Sequence, residues 1–463
     1  MEAIKAAGVA KDESGGFSVV LAEKVLSLAD KLGLEKSWSK LTFGNPTGRK
    51  GTYPTPQRLA AVLAGLACGL RGVAPGNLLL RTNSAIVQRL GGKFPDQGTI
   101  HRWLEQVIQE QAGGLRQHLR DVVREHGRFW NTLRSGRRLI VDIDGQGLVA
   151  RGKRFAEAKY GYLGHGLDRG YQRYVVYVGE TREVLDELIT SGNTTLMSEL
   201  SQMVSGLNTI FTPEWRARVV LRSDSHGGTA RNLQAAKQAG YGYLTRLSSD
   251  SAQKKLLAEK CAAPGVTFRG QDSKGNQHYV ECWDLPKWTL HGRGNISVET
   301  RAVICREMRA DHTERCQTLL TDDTDAAPRQ LWDSYHQRGG TIEEFNNQSE
   351  DGFHLEIIRT SNLHGLNALH ALVGLCWNLL QWAGEELELP PTAAPQAERL
   401  RWRSASAFNL RHWMDRASHS GLRLYRATPR DPLEIEDTAA TAESAAWQAW
   451  LQQPLQRRLR LAG

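Results

Sequence analysis

Twice in this chain a short apolar run ends on an aspartate. Leu139-Ile140-Val141-Asp142-Ile143-Asp144 is followed by Gly145, and Val219-Val220-Leu221-Arg222-Ser223-Asp224 by Gly227-Gly228. Compact apolar runs closed by turn residues predict strands buried in a sheet. Tyr171–Val178 and Glu183–Ile189 predict two further strands, the latter closed by Ser191-Gly192-Asn193. Helical spacing is expected over Leu196–Leu207, and a helix after Gly227-Gly228 is capped by Thr229 and ended by Gly240. Strands followed by helices argue for an α/β sheet with carboxylates at its rim.

Asp142 and Asp144 lie two apart on one strand, so both leave the same sheet face. Two acids on an apolar strand repel each other and resist burial unless a cation or hydrogen bonds compensate. A divalent metal would do so, and so would pairing with Arg137 or Arg138. Asp224 repeats the arrangement on a second strand. His226, two residues on, is placed to reach a metal or phosphate or to cap the next helix, and is not counted as catalytic.

The remaining texture divides the chain. Its 463 residues allow two to four domains. The helix after Thr55-Pro56, with Thr55 as cap, carries Leu59, Val62, Leu63, Leu66 and Leu70. Another, after Gly98-Thr99, carries Ile100, Trp103, Leu104, Val107 and Ile108. Joined through Gly91, Gly92 and Pro95, the two read either as an ordinary helical bundle or as a helix-turn-helix variant presenting His101 and Arg102 to DNA. Residues 245–325 alternate like strands and read as an all-β insertion, and helical texture resumes at Pro328. The Pro/Ala stretch 389–395 reads as a linker. Beyond it, Arg401, Arg403 and Arg411 belong to an arginine cluster interleaved with Trp402, Phe408, Trp413 and Tyr425, suited to tracking phosphates or to forming a solvated helix face. The formal charge of +9 is compatible with a polyanionic partner. The six cysteines show no C-x-x-C spacing and read as reduced thiols. The longest apolar run, Ala371–Trp382, is too short to span a bilayer, and the N-terminus lacks a signal peptide's apolar segment, so no membrane helix and a cytoplasmic location are expected.

Tyr335-His336-Gln337-Arg338-Gly339-Gly340-Thr341-Ile342-Glu343-Glu344-Phe345 supplies a third acidic element. It resembles the Y-x-x-R…I-E-E-F signature around the catalytic glutamate of DDE transposases from bacterial insertion sequences, the cut-and-paste group with a β-strand insertion before that glutamate. The two aspartate strands resemble the first- and second-Asp strands of that group, over roughly residues 50–385. Asp224 lies 80 residues after Asp144 (224 − 144) and Glu343 lies 119 after Asp224 (343 − 224). The second interval is long enough to hold the β-textured module.

The resemblance implies an RNase H-like catalytic core with an all-β insertion, an N-terminal helical DNA-binding region and a C-terminal helical tail. The corresponding segments are 1–134, 135–244, 245–325, 326–388 and 389–463. It implies a triad of Asp144, Asp224 and Glu343 holding two Mg²⁺ or Mn²⁺ ions, with Asp142 as rival for the first place and Asp144 favoured by the small residue after it. Tyr335 and Arg338 would hold a phosphate. Implied partners are double-stranded DNA, as element ends and as target, and a second copy in the synaptic complex; no nucleotide cofactor is implied. The chain departs from the pattern in three places. Four residues rather than three separate Arg338 from Glu343, Glu350 stands where a lysine is expected, and Gln317 stands where some members place a base-stacking tryptophan. Trp283 or Trp288 would be substitutes for that tryptophan, or buried strand aromatics. The departures leave open a catalytically silent DNA-binding derivative, and the fold leaves open an RNase H-like nuclease without strand transfer.

Overall fold

The structure, a computed structural model, describes residues 19–41, 43, 53–70, 80–155, 157–164, 166–248, 252–253, 255–256, 259, 264–271, 277–308, 313–355, 357–384, 417, 422–426, 428 and 432–452. The chain divides into two compact units. One comprises Met1–Arg116, Lys153–Ala156 and Asn347–Arg460, the other Gln117–Gly152, Glu157–Asn346 and Leu461–Gly463.

The second unit is built on one mixed sheet: β1 (Leu139–Val149), β2 (Lys159–Tyr162), β3 (Leu167–Val178), β4 (Glu183–Ser191), β5 (Val219–Ser223), β6 (Gly242–Arg246), β7 (Val266–Gln271), β8 (Gln277–His291), β9 (Ser297–Met308) and β10 (Glu314–Thr321). Their order is β2-β3-β1-β5-β6-β10-β9-β8-β7, with β4 also pairing β3, on the same side as β2. Among the described strands, β1–β5 and β5–β6 run parallel and the other pairs antiparallel. The fold is therefore mixed α/β. The helix Leu196–Leu207 follows β4, and Ala230–Ala239 connects β5 to β6 with Thr229 accepting from the Asn232 amide and Gly240 left-handed at its end. The strands β7–β10 lie where alternation predicts them, and they extend this same sheet through β10 against β6 instead of forming a separate one. Val280, Cys282, Val303, Cys305, Leu319, Leu331 and Trp332 form a core between these strands and the helix Pro328–His336. Each large apolar side chain buried there contributes roughly 1.5–3 kcal/mol.

The first unit is helical, with Val20–Lys31, Thr55–Ala67 and Gln97–Glu105 packed around Leu363–Gly384. That last helix is longer than the apolar run read from sequence. By length and composition it would cross a membrane, but 89% of its apolar window is buried inside the protein, so it is a core helix. The Thr55 helix is capped at Pro54, and Thr55 makes no cap bond. The Gln97 helix is capped by Asp96, whose Oδ1 accepts from the Thr99 amide at 2.8 Å. It ends at Glu105, which leaves Ile108 outside it and 53% exposed. The helix before Gly91-Gly92 is the short Ser84–Arg89, not the one that begins at Thr55. Near the C-terminus, where helix was expected throughout, β11 (Leu422–Tyr425) and β12 (Glu434–Asp437) pair as a hairpin. The final helix, Ala442–Gln452, buries Trp447 and Trp450, and Trp450 Nε1 donates to the Ala383 carbonyl at 3.0 Å.

Candidate functional site

Parallel pairing of β1 with β5 brings the two acidic strand ends together. Ile143 is in register with Ser223, so Asp144 and Asp224 are the next residues on neighbouring strands. Asp224 lies at the head of a tight turn. Its carbonyl accepts from the Gly227 amide at 3.1 Å and from Thr245 Oγ1 at 2.6 Å. A Cβ on Gly228 would sit 1.9 Å from the Arg246 carbonyl oxygen, so this turn approaches β6 only because residue 228 has no side chain.

The glutamate arrives on the helical segment that follows β10. The signature is not one continuous helix. Pro328–His336 gives way to a 3₁₀ turn over Gln337–Gly340, Thr341 breaks the path, and Ile342–Phe353 begins a new helix. Gly339, Gly340 and Thr341 thus absorb the additional residue between Arg338 and Glu343. Ile342 and Phe345 anchor the new helix in the core, Phe345 stacking on Tyr177 at 4.8 Å, and Glu343 is left 57% exposed in its first turn.

Arg338 is common to the three acids. Its guanidinium is in direct contact with Asp144, lies 3.7 Å from Glu343, and interacts electrostatically with Asp224. Burial acts to lower its proton affinity, but Asp144 and Asp224 outweigh that and hold it above the ordinary arginine value. Asp144 is pushed up to about 6. Burial is the main cause, Arg338 opposes it, and Asp224 and Glu343 add repulsion. Burial would raise Asp224 also, but hydrogen bonding from His226 overrides it and the carboxyl stays below its usual range. His226 Nδ1 lies 2.8 Å from Asp224 Oδ2, which raises the imidazole above its ordinary value.

Asp142 is placed differently from its strand neighbour. It is fully buried and takes Arg222 Nε on Oδ1 at 2.5 Å, with Arg222 Nη2 at 2.8 Å and Thr341 Oγ1 at 2.8 Å on Oδ2. Its compensating cation is Arg222, from within the second aspartate strand. Arg137 and Arg138 pair instead with Glu180 and Asp323.

Tyr335 is partly buried beside the site, packed against the insertion core, and burial raises its phenol. His101 and Arg102 are exposed on Gln97–Glu105 and belong to the other unit. Arg401, Arg403 and Arg411 lie outside the described residues, as does the 389–395 linker. Trp283 is buried under the Arg306 guanidinium, as a strand aromatic would be. Gln317 is fully buried and bonds to Glu307 and His336, so it does not offer a stacking face. Three contributors were not picked out from sequence: Arg222, Thr341, and Asn346, whose Nδ2 approaches Asp144 Oδ2 at 3.4 Å. An arginine inside an apolar strand beside an acid-bearing strand was the available signal for the first.

Asp144, Asp224 and Glu343 offer only hard oxygen donors, the chemistry that magnesium and manganese prefer. Burial leaves Asp144 undercompensated even with Arg338 against it. Among the described residues the acids do not form a group close enough to enclose an ion. The donor types suit a divalent cation, and the Arg338 guanidinium compensates part of their charge.

The chain belongs to the transposase DDE domain group 1 family, which it matches over residues 14–404. DDE transposases generally use divalent metals. No curated protein sequence matches the chain. Among solved structures, a piggyBac transposase synaptic complex with hairpin DNA is similar over 96% of this chain and 84% of that one, at 12% identity and a TM-score of 0.42, too loose a likeness to argue from.

Proposed function

We propose that the protein is a DNA transposase that binds the terminal inverted repeats of an insertion sequence, cleaves the DNA, and transfers the 3′ ends to a target. The observation that carries this is the convergence of Asp144, Asp224 and Glu343 on one arginine from three separated segments. We read the β1–β5–β6 region with β3 and β4 as an RNase H-like core, and β7–β10 as its insertion between the second aspartate and the glutamate. That reading rests on the parallel β1–β5–β6 pairing and on the antiparallel β7–β10 extension. The segments 1–134 and 389–463 would be the helical DNA-binding region and the basic tail.

Asp144, Asp224 and Glu343 would hold Mg²⁺ or Mn²⁺, which when bound activates a nucleophile and stabilises the leaving oxygen of a phosphodiester. Arg338 compensates the acids' charge and would offer a fork of donors to a phosphate. Tyr335 stands beside it as a second phosphate contact. His226 fixes the rotamer of Asp224 and adds positive charge near a polyanion. Asp142, already satisfied by Arg222 and Thr341, positions β1 against β5. Two element ends must be held together, so a homodimer on DNA is part of the proposal, acting in the cytoplasm on chromosomal DNA.

The test incubates the purified chain with Mg²⁺, labelled duplexes bearing the inverted repeats that flank its reading frame, and a plasmid target. Cleavage at the repeat boundary with label joined to the plasmid supports transposition. Hydrolysed ends without joined product support a nuclease, and binding without cleavage supports a silent derivative.

A further inference from the structure

Beyond the acids, the same sheet carries a feature that the catalytic reading does not use. Tyr160 and Tyr162, on edge strand β2, are 67% and 70% exposed, and Leu167 opposite them is 77% exposed. Pairing register fixes their face. Asp144 opposes Val175 on β3, while Tyr160 opposes Arg169 and Tyr162 opposes Leu167. Residues 175, 173, 171, 169 and 167 alternate onto one side, so both tyrosines share the sheet face of Asp144. Six residues of β3 separate the two places, which is about 20 Å along the strand.

The platform is firmly seated. Gly161, between the tyrosines and on the opposite face, packs so closely that a Cβ there would lie 1.7 Å from the Gly192 carbonyl oxygen. Gln172 Nε2 donates to the Tyr162 carbonyl at 2.7 Å, and Arg169 donates to the carbonyls of Ala158 at 3.0 Å and Gly152 at 2.8 Å. The tyrosine rings themselves are left to solvent. In the same unit Arg151, Lys159 and Arg169 flank the tyrosines in sequence against Glu157 and Asp168, with Arg151 paired to Asp168.

We propose that Tyr160 and Tyr162 form a stacking platform for unpaired nucleobases of a DNA strand at this edge of the sheet. Residues i and i+2 of a strand stand about 6.7 Å apart, roughly twice the 3.4 Å base-to-base step, so one unstacked base fits between the two rings. Aromatic faces stack on any base, and the basic surroundings follow the phosphates, which is the combination that single strands require. The proposal takes its ligand from the transposase reading.

The experiment measures fluorescence anisotropy of the full chain with labelled oligothymidylate and with a duplex of equal length. Y160A/Y162A is expected to lose single-strand affinity by about tenfold or more while duplex affinity and melting temperature hold. Y160F/Y162F, which keeps both rings, is expected to bind like the wild type. A 2-aminopurine base in the strand should lose fluorescence on the wild type and regain it on the alanine variant. Unchanged single-strand affinity in the alanine variant, or a phenylalanine variant as weak as the alanine one, overturns the platform. So does a change in self-association without a change in DNA affinity, which would assign this edge to a second copy of the chain. If the wild type still cleaves element ends while these results fail, only the platform falls; a wild type that binds no DNA removes the transposase reading as well.

Discussion

Asp142 and Asp144 share a strand face, and replacing each by asparagine should separate structure from chemistry. Asp142 is completely buried and its partner Arg222 is 3% exposed at the side chain. The carboxylate accepts on both oxygens, at 2.5 Å from Nε and at 2.8 Å from Nη2 and Thr341. Asparagine keeps one acceptor. Its amide turned to either side then opposes an arginine N–H, leaving a buried cation partly uncompensated. Removing one partner of a buried pair costs about 3–5 kcal/mol, and Asp142→Asn belongs near the lower end because one acceptor survives. For a unit of this size, about 3 kcal/mol lowers the melting temperature by roughly 6–12 °C. Asp144→Asn should cost less. Burial and acidic neighbours raise the Asp144 carboxyl to about 6, which offsets what its contact with Arg338 contributes. Its melting temperature should fall by clearly less than that of Asp142→Asn. Differential scanning calorimetry at pH 7.5 without metal reads both. A wild-type melting temperature in Asp142→Asn, or a large loss in Asp144→Asn, would refute the division of roles.

Other consequences are open to measurement. His118 is buried and held down to about 4, against 6.5 when unfolded, so the folded state binds fewer protons and stability falls as pH drops from 6.5 toward 4. The loss is about 2 kcal/mol by pH 5, and His118→Gln should remove that share of the slope in melts from pH 7.5 to 4.5. Arg173 and Glu187 are both fully buried with Nε and Oε2 2.9 Å apart. Arg173→Met should cost about 3–5 kcal/mol in urea unfolding and Arg173→Met/Glu187→Met much less, whereas additive losses would deny the coupling. Gly228→Ala should cost about 1–3 kcal/mol and displace the Asp224 turn, since its Cβ would meet the Arg246 carbonyl; unchanged stability would show that the turn has slack.

The parts of the fold legible from sequence were those where local chemistry and tertiary packing agree. Apolar strands ending in acid, and a helix bracketed by Thr229 and Gly240, announce themselves because composition and capping point the same way. β2 was not legible: Lys159-Tyr160-Gly161-Tyr162 is short, polar and broken by glycine, and it is a strand only because β3 and the Gly192 turn receive it. The helix Gln109–His126 was missed for a similar reason. Gly113-Gly114 weakens its local propensity, while Leu115, Leu119, Val122 and Val123 bury one side. At the candidate site, alternation placed Asp142 and Asp144 on one face but had no means of telling them apart. Their difference comes from Arg222 and Thr341, 80 and 199 residues away in sequence. The break in the signature at Gly339-Gly340-Thr341 was visible as an extra residue, and its absorption in a 3₁₀ turn needed the structure.

The central claim is that Asp144, Asp224 and Glu343 act together on a phosphodiester. It is tested most directly by single-turnover cleavage of a labelled inverted-repeat duplex with Mg²⁺, comparing Asp144→Asn, Asp224→Asn and Glu343→Gln with the wild type, and with duplex binding measured in parallel. Each variant should bind DNA as the wild type does and lose cleavage by about a thousandfold or more, the scale expected when about 4 kcal/mol of transition-state stabilisation is removed. Cleavage at the wild-type rate in any one of the three would contradict the claim for that residue. Cleavage in all three would place the chemistry elsewhere in the chain.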